Sequence, residues 1–179
     1  MKKSNYWRNL IVFASGALLV GVAAVIVAYT YQAALGYPHP SRVFLSVDDT
    51  PAKFGIAYQD VTITTSDGLK LSAWYTPSKN GAVILVAHGY HGARDLNMHV
   101  FFAKHGYGAV TWDFRAHGKS EGDLSTIGYY EVRDVEAALD FALAQPDVKK
   151  VGGWGGSMGG AATIMAAAKR NEISVVVAD

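Results

Sequence analysis

The 179-residue chain has no cysteine, few prolines and no excess of either charge. Without cysteine there can be no disulfide, no thiolate metal centre and no cysteine nucleophile; the same absence fits an oxidising or a reducing compartment. Sixteen Lys and Arg stand against fifteen Asp and Glu. No basic face therefore suggests nucleic acid as a partner, and no acidic tail suggests a charge-driven one. Charge is missing altogether from Leu10 to Tyr29, a run that would span about 30 Å as a helix, the thickness of a bilayer core.

This run predicts one transmembrane helix. Lys2, Lys3 and Arg8 precede it, whereas Arg42 is the first cation after it and Asp48 and Asp49 follow closely. The cationic flank is expected to stay cytoplasmic and the remainder to face outward. Tyr6, Trp7, Tyr29 and Tyr31 border the run where amphipathic rings favour the interface. A cleavable signal peptide ending at Ala34-Leu35-Gly36 is the rival, and the run is longer than such a peptide needs. The organisation expected is an N-terminal stub and anchor over 1–36, a connector over 37–59 and a catalytic-type domain over 60–179.

The connector carries Pro38, Pro40 and Pro51, too irregular for one helix, and is expected to pack through Val43, Phe44 and Phe54. Beyond it, DVTITT and KLSAWYT alternate around Ser66-Asp67-Gly68, which predicts a β-hairpin. AVILVAH (82–88) is apolar throughout, as a strand covered on both faces should be. A helix over Ala93–His105, a strand GAVTWD and a helix over Thr126–Gln145 follow. In that last helix Val132, Val135, Ala138, Leu139 and Ala142 form the apolar stripe, with Glu131, Arg133, Asp134, Glu136 and Asp140 on the other side. VKKVGGWG, a small-residue helix from Met158 to Lys169 and ISVVVA complete the pattern. A hairpin followed by alternating strands and helices implies an α/β fold with a mostly parallel sheet and helices on both faces.

The glycines of VGGWGGSMGGAATIM surround one serine, Ser157, in a G-x-S-x-G pattern through Gly155 and Gly159, between a strand and a helix. A sharp turn there would strain the serine and project its hydroxyl above the sheet. The Met158 N–H, at the helix start, could then donate to a developing oxyanion. A phosphate-binding P-loop is excluded because Ala161 and Ala162, not Lys, follow the glycines. A dinucleotide fingerprint is excluded because Met158 stands where its third glycine belongs. The plain alternative is a tight helix–strand crossing with an incidental serine. At the end of the strand from Ala82, His88-Gly89-Tyr90 occupy the loop expected to supply a second donor, the Tyr90 N–H. His88 reads as structural; a metal site shared with His91 and a role as catalytic base are its alternatives, neither with a supporting motif.

HGYHG, WDFRAHGKSEG, SDGLKLSAWY and GGSMGG, in their positions along the chain, resemble the α/β-hydrolase superfamily, particularly membrane-anchored bacterial members of the serine esterase and S33-peptidase-like group. The resemblance runs from about Tyr58 to Asp179 and covers the first half to two-thirds of that fold. It implies a serine hydrolase acting on a small-molecule acyl substrate, without metal or cofactor. It makes Asp113, Arg115, His117 and Gly118 mainly architectural, with His117 as base an outside alternative. In this fold the triad runs Ser, then Asp or Glu, then His, and no histidine follows Ser157. The resemblance therefore places the base beyond Asp179. Asp179 is a minor candidate for the acid, since most family members carry it one strand later. VVVAD is expected to leave an apolar edge that later elements would cover, so the segment reads as the N-terminal portion of a longer hydrolase. A non-catalytic, hydrolase-like binding protein is the alternative.

Overall fold

A computed structural model describes residues 2–146 and 148–179; the side chains of Lys2 and Lys3, on which the expected orientation partly rests, lie outside the described residues. The chain divides into two compact units, Met1–Tyr37 and Pro38–Asp179.

The first unit is one helix, α1 (Lys2–Gly36), and the stretch Asn5–Gly36 is long and apolar enough to cross a membrane. It exceeds the charge-free run at both ends. YQAALG continues good helix formers to Gly36, and Pro38 ends the possibility of further turns.

In the second unit six strands form one sheet in the order β1-β2-β4-β3-β5-β6. They are β1 (Gln59–Thr64), β2 (Lys70–Thr76), β3 (Ala82–Ala87), β4 (Gly108–Trp112), β5 (Lys150–Gly155) and β6 (Ile173–Ala178). β1 and β2 make the expected hairpin, with Gly68 at φ 89° supplying the left-handed turn residue. β2 meets β4 antiparallel, and β4, β3, β5 and β6 are mutually parallel.

Alternation along the strands sorts the helices between the two faces. Leu71, Ala73 and Tyr75 of β2, Val83 and Leu85 of β3, and Val110 and Trp112 of β4 share one core with α3 (Glu131–Leu143) and α4 (Met158–Ala167). The intervening Thr76 and Thr111 point the other way, onto α2 (Leu96–Lys104), where the buried His99 ring bridges both hydroxyls at 2.8 Å.

Two helices begin later than their sequence suggests. The Asp95 carboxylate accepts from Met98 N–H at 2.9 Å and caps α2, so Ala93 and Arg94 belong to the preceding loop. Helix α3 starts at Glu131 rather than Thr126, because Ile127 (φ 55°) and Gly128 (φ 121°) turn the chain away from helical angles. Its apolar stripe is buried as expected, but Glu131 and Asp134 are buried too. The polar side of a helical pattern does not reveal which of its acids meet buried partners.

The connector departs from expectation as well. Val43, Phe44 and Phe54 are exposed. Polar bonds attach this segment instead: Arg42 donates to the carbonyls of Gly118 at 2.9 Å and Gly122 at 2.7 Å, and Ser125 N–H donates to Pro38 O at 2.8 Å. A single arginine in a proline-containing stretch carries no periodicity, so this attachment was invisible in the sequence.

Candidate active site

Chain order places a crevice. From β3 the chain moves to β4 on one side, then passes back to β5 on the other, so the carboxyl ends of β3 and β5 flank the point where strand order reverses. Ligands of open α/β sheets bind at such a point. The loop after β3 carries His88, Gly89 and Tyr90; the turn after β5 carries Ser157.

Ser157 sits at φ 49°, ψ −116°, a conformation that costs a non-glycine residue on the order of 1–3 kcal/mol. Its surroundings over-determine it. Gly156 N–H donates to Ala87 O at 3.1 Å, Ser157 N–H to Asp179 O at 2.7 Å, and Asp179 N–H to Gly155 O at 3.0 Å, so backbone on both sides brackets the bend. Ala161 N–H then bonds Ser157 O at 3.1 Å and starts α4. The serine is exposed, whereas Met158 is buried.

The glycines are there for space. A Cβ on Gly155 would stand 2.5 Å from the backbone of Gly159 and Gly160, and one on Gly159 would strike the carbonyls of Ala87 and His88. One on Gly160 would reach 2.8 Å from Gly155 O, a contact that sequence reasoning had not assigned to it. The first turn of α4 thus lies directly on the ends of β3 and β5. A Cβ on Gly89 would lie 3.5 Å from Ser157 Cβ, which places the β3 loop beside the serine. As the first residue of α4, Met158 has an N–H with no intrahelical partner.

His88 fixes that loop. It is buried, its Nδ1–H donates to Gly89 O at 2.7 Å, and its Nε2 accepts from Phe114 N–H at 2.9 Å. Both ring nitrogens are thereby used in a neutral tautomer, and burial lowers the pKa to about 4. His117 is buried edge-on against His88 and Tyr90, with ring centroids 5.1 and 5.7 Å away, and its Nδ1–H donates to Arg115 O at 2.8 Å. Asp113 accepts from the N–H groups of Arg94 (2.9 Å) and Lys119 (3.0 Å) and joins the loops after β3 and β4. Arg115 ties α3 to the hairpin turn, meeting Asp134 at 2.7 Å and Asp67 at 2.8 Å. These residues tie together the loops after β3 and β4, the hairpin turn and α3. Among the described residues no side chain hydrogen-bonds Ser157 Oγ, no three potential ligands converge as a metal centre, and Asp179 contributes backbone rather than carboxylate contacts.

Glu131 is a residue that the sequence reading misassigned. Oε1 accepts from Ser125 Oγ (2.8 Å) and Thr126 N–H (2.9 Å), and Oε2 from Thr126 Oγ1 and Gly128 N–H (both 2.8 Å). Burial alone would raise its pKa; these donors outweigh it and hold the carboxyl below the ordinary glutamate value. Ser125 Oγ also reaches Met158 Sδ at 3.7 Å, which links this anchored loop to α4. Glu131→Gln turns an amide NH2 toward donors, and the expected loss is about 1–3 kcal/mol, measurable by urea denaturation. An unchanged midpoint would show that the loop does not depend on the carboxylate.

A cavity of about 150 Å³ lies to one side, between Val43–Val47 and Arg94, Asp113 and Lys119. Ser157 is not on its wall; the serine stands open to solvent.

The fold, with a strained, glycine-flanked serine at its switch point, defines an α/β-hydrolase. The chain belongs to the family described as X-Pro dipeptidyl-peptidase (S15 family), whose model matches residues 67–179, in keeping with the α/β-hydrolase resemblance of its motifs. It is 26% identical over 171 residues to an uncharacterized membrane protein of Saccharomyces cerevisiae, covering 93% of this chain and 60% of that one. It is 31% identical over 155 residues to the alpha/beta hydrolase domain-containing protein WAV2 of Arabidopsis thaliana, covering 82% of this chain and 49% of that one. The Pyrococcus furiosus esterase Pf2001 superposes with a TM-score of 0.71 at 32% identity, over 76% of this chain and 56% of the esterase. The chain therefore spans about half to three-fifths of the length of these proteins.

Proposed function

We propose that this chain carries the nucleophile and oxyanion-binding part of a membrane-anchored serine hydrolase acting on an ester, thioester or small amide. The observation that carries the reading is Ser157 itself, strained at φ 49° and exposed at the carboxyl end of β5, beside the β3 loop. Its Oγ attacks the substrate carbonyl while the N–H groups of Met158 and Tyr90 stabilise the oxyanion. The leaving group departs with a proton from the catalytic histidine, and water activated by that histidine then releases the acyl group. The histidine and its acid are expected from sequence following Asp179. Kinship with an esterase and with a peptidase family supports acyl-group chemistry. The α1 helix is the anchor, with Lys2, Lys3 and Arg8 on the cytoplasmic side.

Fluorophosphonate labelling of the protein encoded by the full reading frame tests this. Labelling should be rapid and should be abolished in Ser157→Ala, because only an activated serine reacts. A cooperatively folding protein that resists the probe would favour the second reading, a hydrolase-like binding protein.

A further inference from the structure

Apolar side chains that a soluble domain would bury are exposed in one part of the second unit. Phe44 is 59% and Val47 85% exposed, in a segment without regular structure, and Val43 beside them is exposed as well. Thr50 shares the wall of the small cavity with this segment and immediately precedes the 3₁₀ turn Pro51–Phe54, in which Phe54 is exposed. Lys104 Nζ lies 5.8 Å over the Phe54 ring, and one turn earlier on α2 Phe101 is exposed. We treat the exposed Val43, Phe44, Val47 and Phe54 of the connector, with the exposed Phe101 of α2, as one apolar strip.

We propose that this strip is a membrane-docking surface and that its occupant is the headgroup and upper acyl region of the bilayer that holds α1. The proposal rests on reading α1 as the membrane span. Connectivity supports it: Val43 follows Gly36, the last residue of α1, by seven residues, a tether of at most about 25 Å when fully extended. The strip is therefore confined near lipid. Its composition also fits a bilayer interface, where phenylalanine and valine enter the acyl boundary while lysine heads remain in the headgroup layer. Asp48 and Asp49 offset Lys53 and Lys104, so apolar burial rather than attraction to anionic lipid drives the contact. Neutral phosphatidylcholine should suffice. Docking would hold the substrate crevice at a fixed height above the membrane surface.

The 179 residues contain no cysteine, so a thiol introduced into them is unique among them. Val47→Cys, Leu19→Cys and Glu172→Cys variants of the full chain, each carrying an environment-sensitive fluorophore, are reconstituted into phosphatidylcholine vesicles containing lipids with quenchers on both the upper and the terminal part of the acyl chain. The label at Val47 should be quenched from about 5–10 Å below the headgroup level, and the label at Glu172, an exposed polar position before β6, should not. Adding Phe44→Ser should weaken the quenching at Val47 and leave that at Leu19 unchanged. The proposal is overturned if Leu19 is quenched while Val47 behaves like Glu172. It is also overturned if the Val47 label is shielded only at high protein-to-lipid ratio and without lipid quenching, which would identify a second copy as the occupant. An unquenched label at Leu19 would remove the anchor reading and this inference together.

Discussion

Gly159→Ala is expected to abolish cooperative folding or to cost more than about 3 kcal/mol, beyond the usual range for an overpacked side chain. Most overpacked sites relax because a neighbouring rotamer gives way. Here the new methyl would overlap the backbone carbonyls of Ala87 and His88. To clear them, the first turn of α4 must leave the end of β3 or the strand must leave its place in the sheet. Either movement breaks the bracket around Ser157. Gly156→Ala is the internal control, since a Cβ there meets nothing closer than a Trp154 ring carbon at 3.8 Å, and it should change stability little. Thermal melts of the two variants in the same detergent decide the matter. Equal melting temperatures would mean that the close crossing of strand and helix is not needed.

Acidification from pH 7 to pH 4 is expected to remove several kcal/mol of stability. Burial lowers the pKa values of His88 and His99 to about 4, whereas an unfolded histidine titrates near 6.5. Below pH 6.5 the unfolded chain gains protons that the folded chain cannot take up. The stabilisation is therefore complete above that pH and is lost progressively as pH falls toward 4, by about 3 kcal/mol for each ring. His117 acts in the same direction, because burial lowers its pKa as well. Asp134 opposes them. Burial raises its carboxyl to about 6 despite the Arg115 guanidinium, so the folded state takes up this proton first and gains stability as pH falls through that range. One carboxyl does not offset three imidazoles, and the net change is a loss. His99→Gln keeps groups able to bond Thr76 and Thr111 but cannot titrate. Its melting temperature should be lower at pH 7 and should depend less on pH between 6.5 and 4. A wild-type melting temperature that is flat across this range would contradict buried, neutral histidines.

The order of strands and helices was legible because it rests on periodicity: alternation in the hairpin, an unbroken apolar run in β3, and a helical stripe through Val132, Val135 and Leu139. The elbow was legible because GGSMGG places a side chain only where the crossing leaves room for one. Helix starts were less legible. α2 begins where the Asp95 carboxylate reaches Met98 N–H, and α3 begins where Glu131 gathers four donors from the preceding loop. Neither cap differs in composition from the surface acids around it. A signal for Glu131 did exist, in the Ser125, Thr126 and Gly128 donors clustered just before it, but a helical pattern extended through them concealed it. The misreading of the connector has the same origin. Apolar residues there suggested packing, whereas Arg42 reaches a row of carbonyls that only the folded loop after β4 brings together.

The most direct test of the central claim is a crystal structure of the full-length protein after reaction with a small fluorophosphonate. The account predicts a phosphorus–oxygen bond to Ser157 Oγ, with the phosphoryl oxygen about 2.7–3.1 Å from the amide nitrogens of both Met158 and Tyr90. An adduct on another residue, or a phosphoryl oxygen turned away from those two amides, would contradict it.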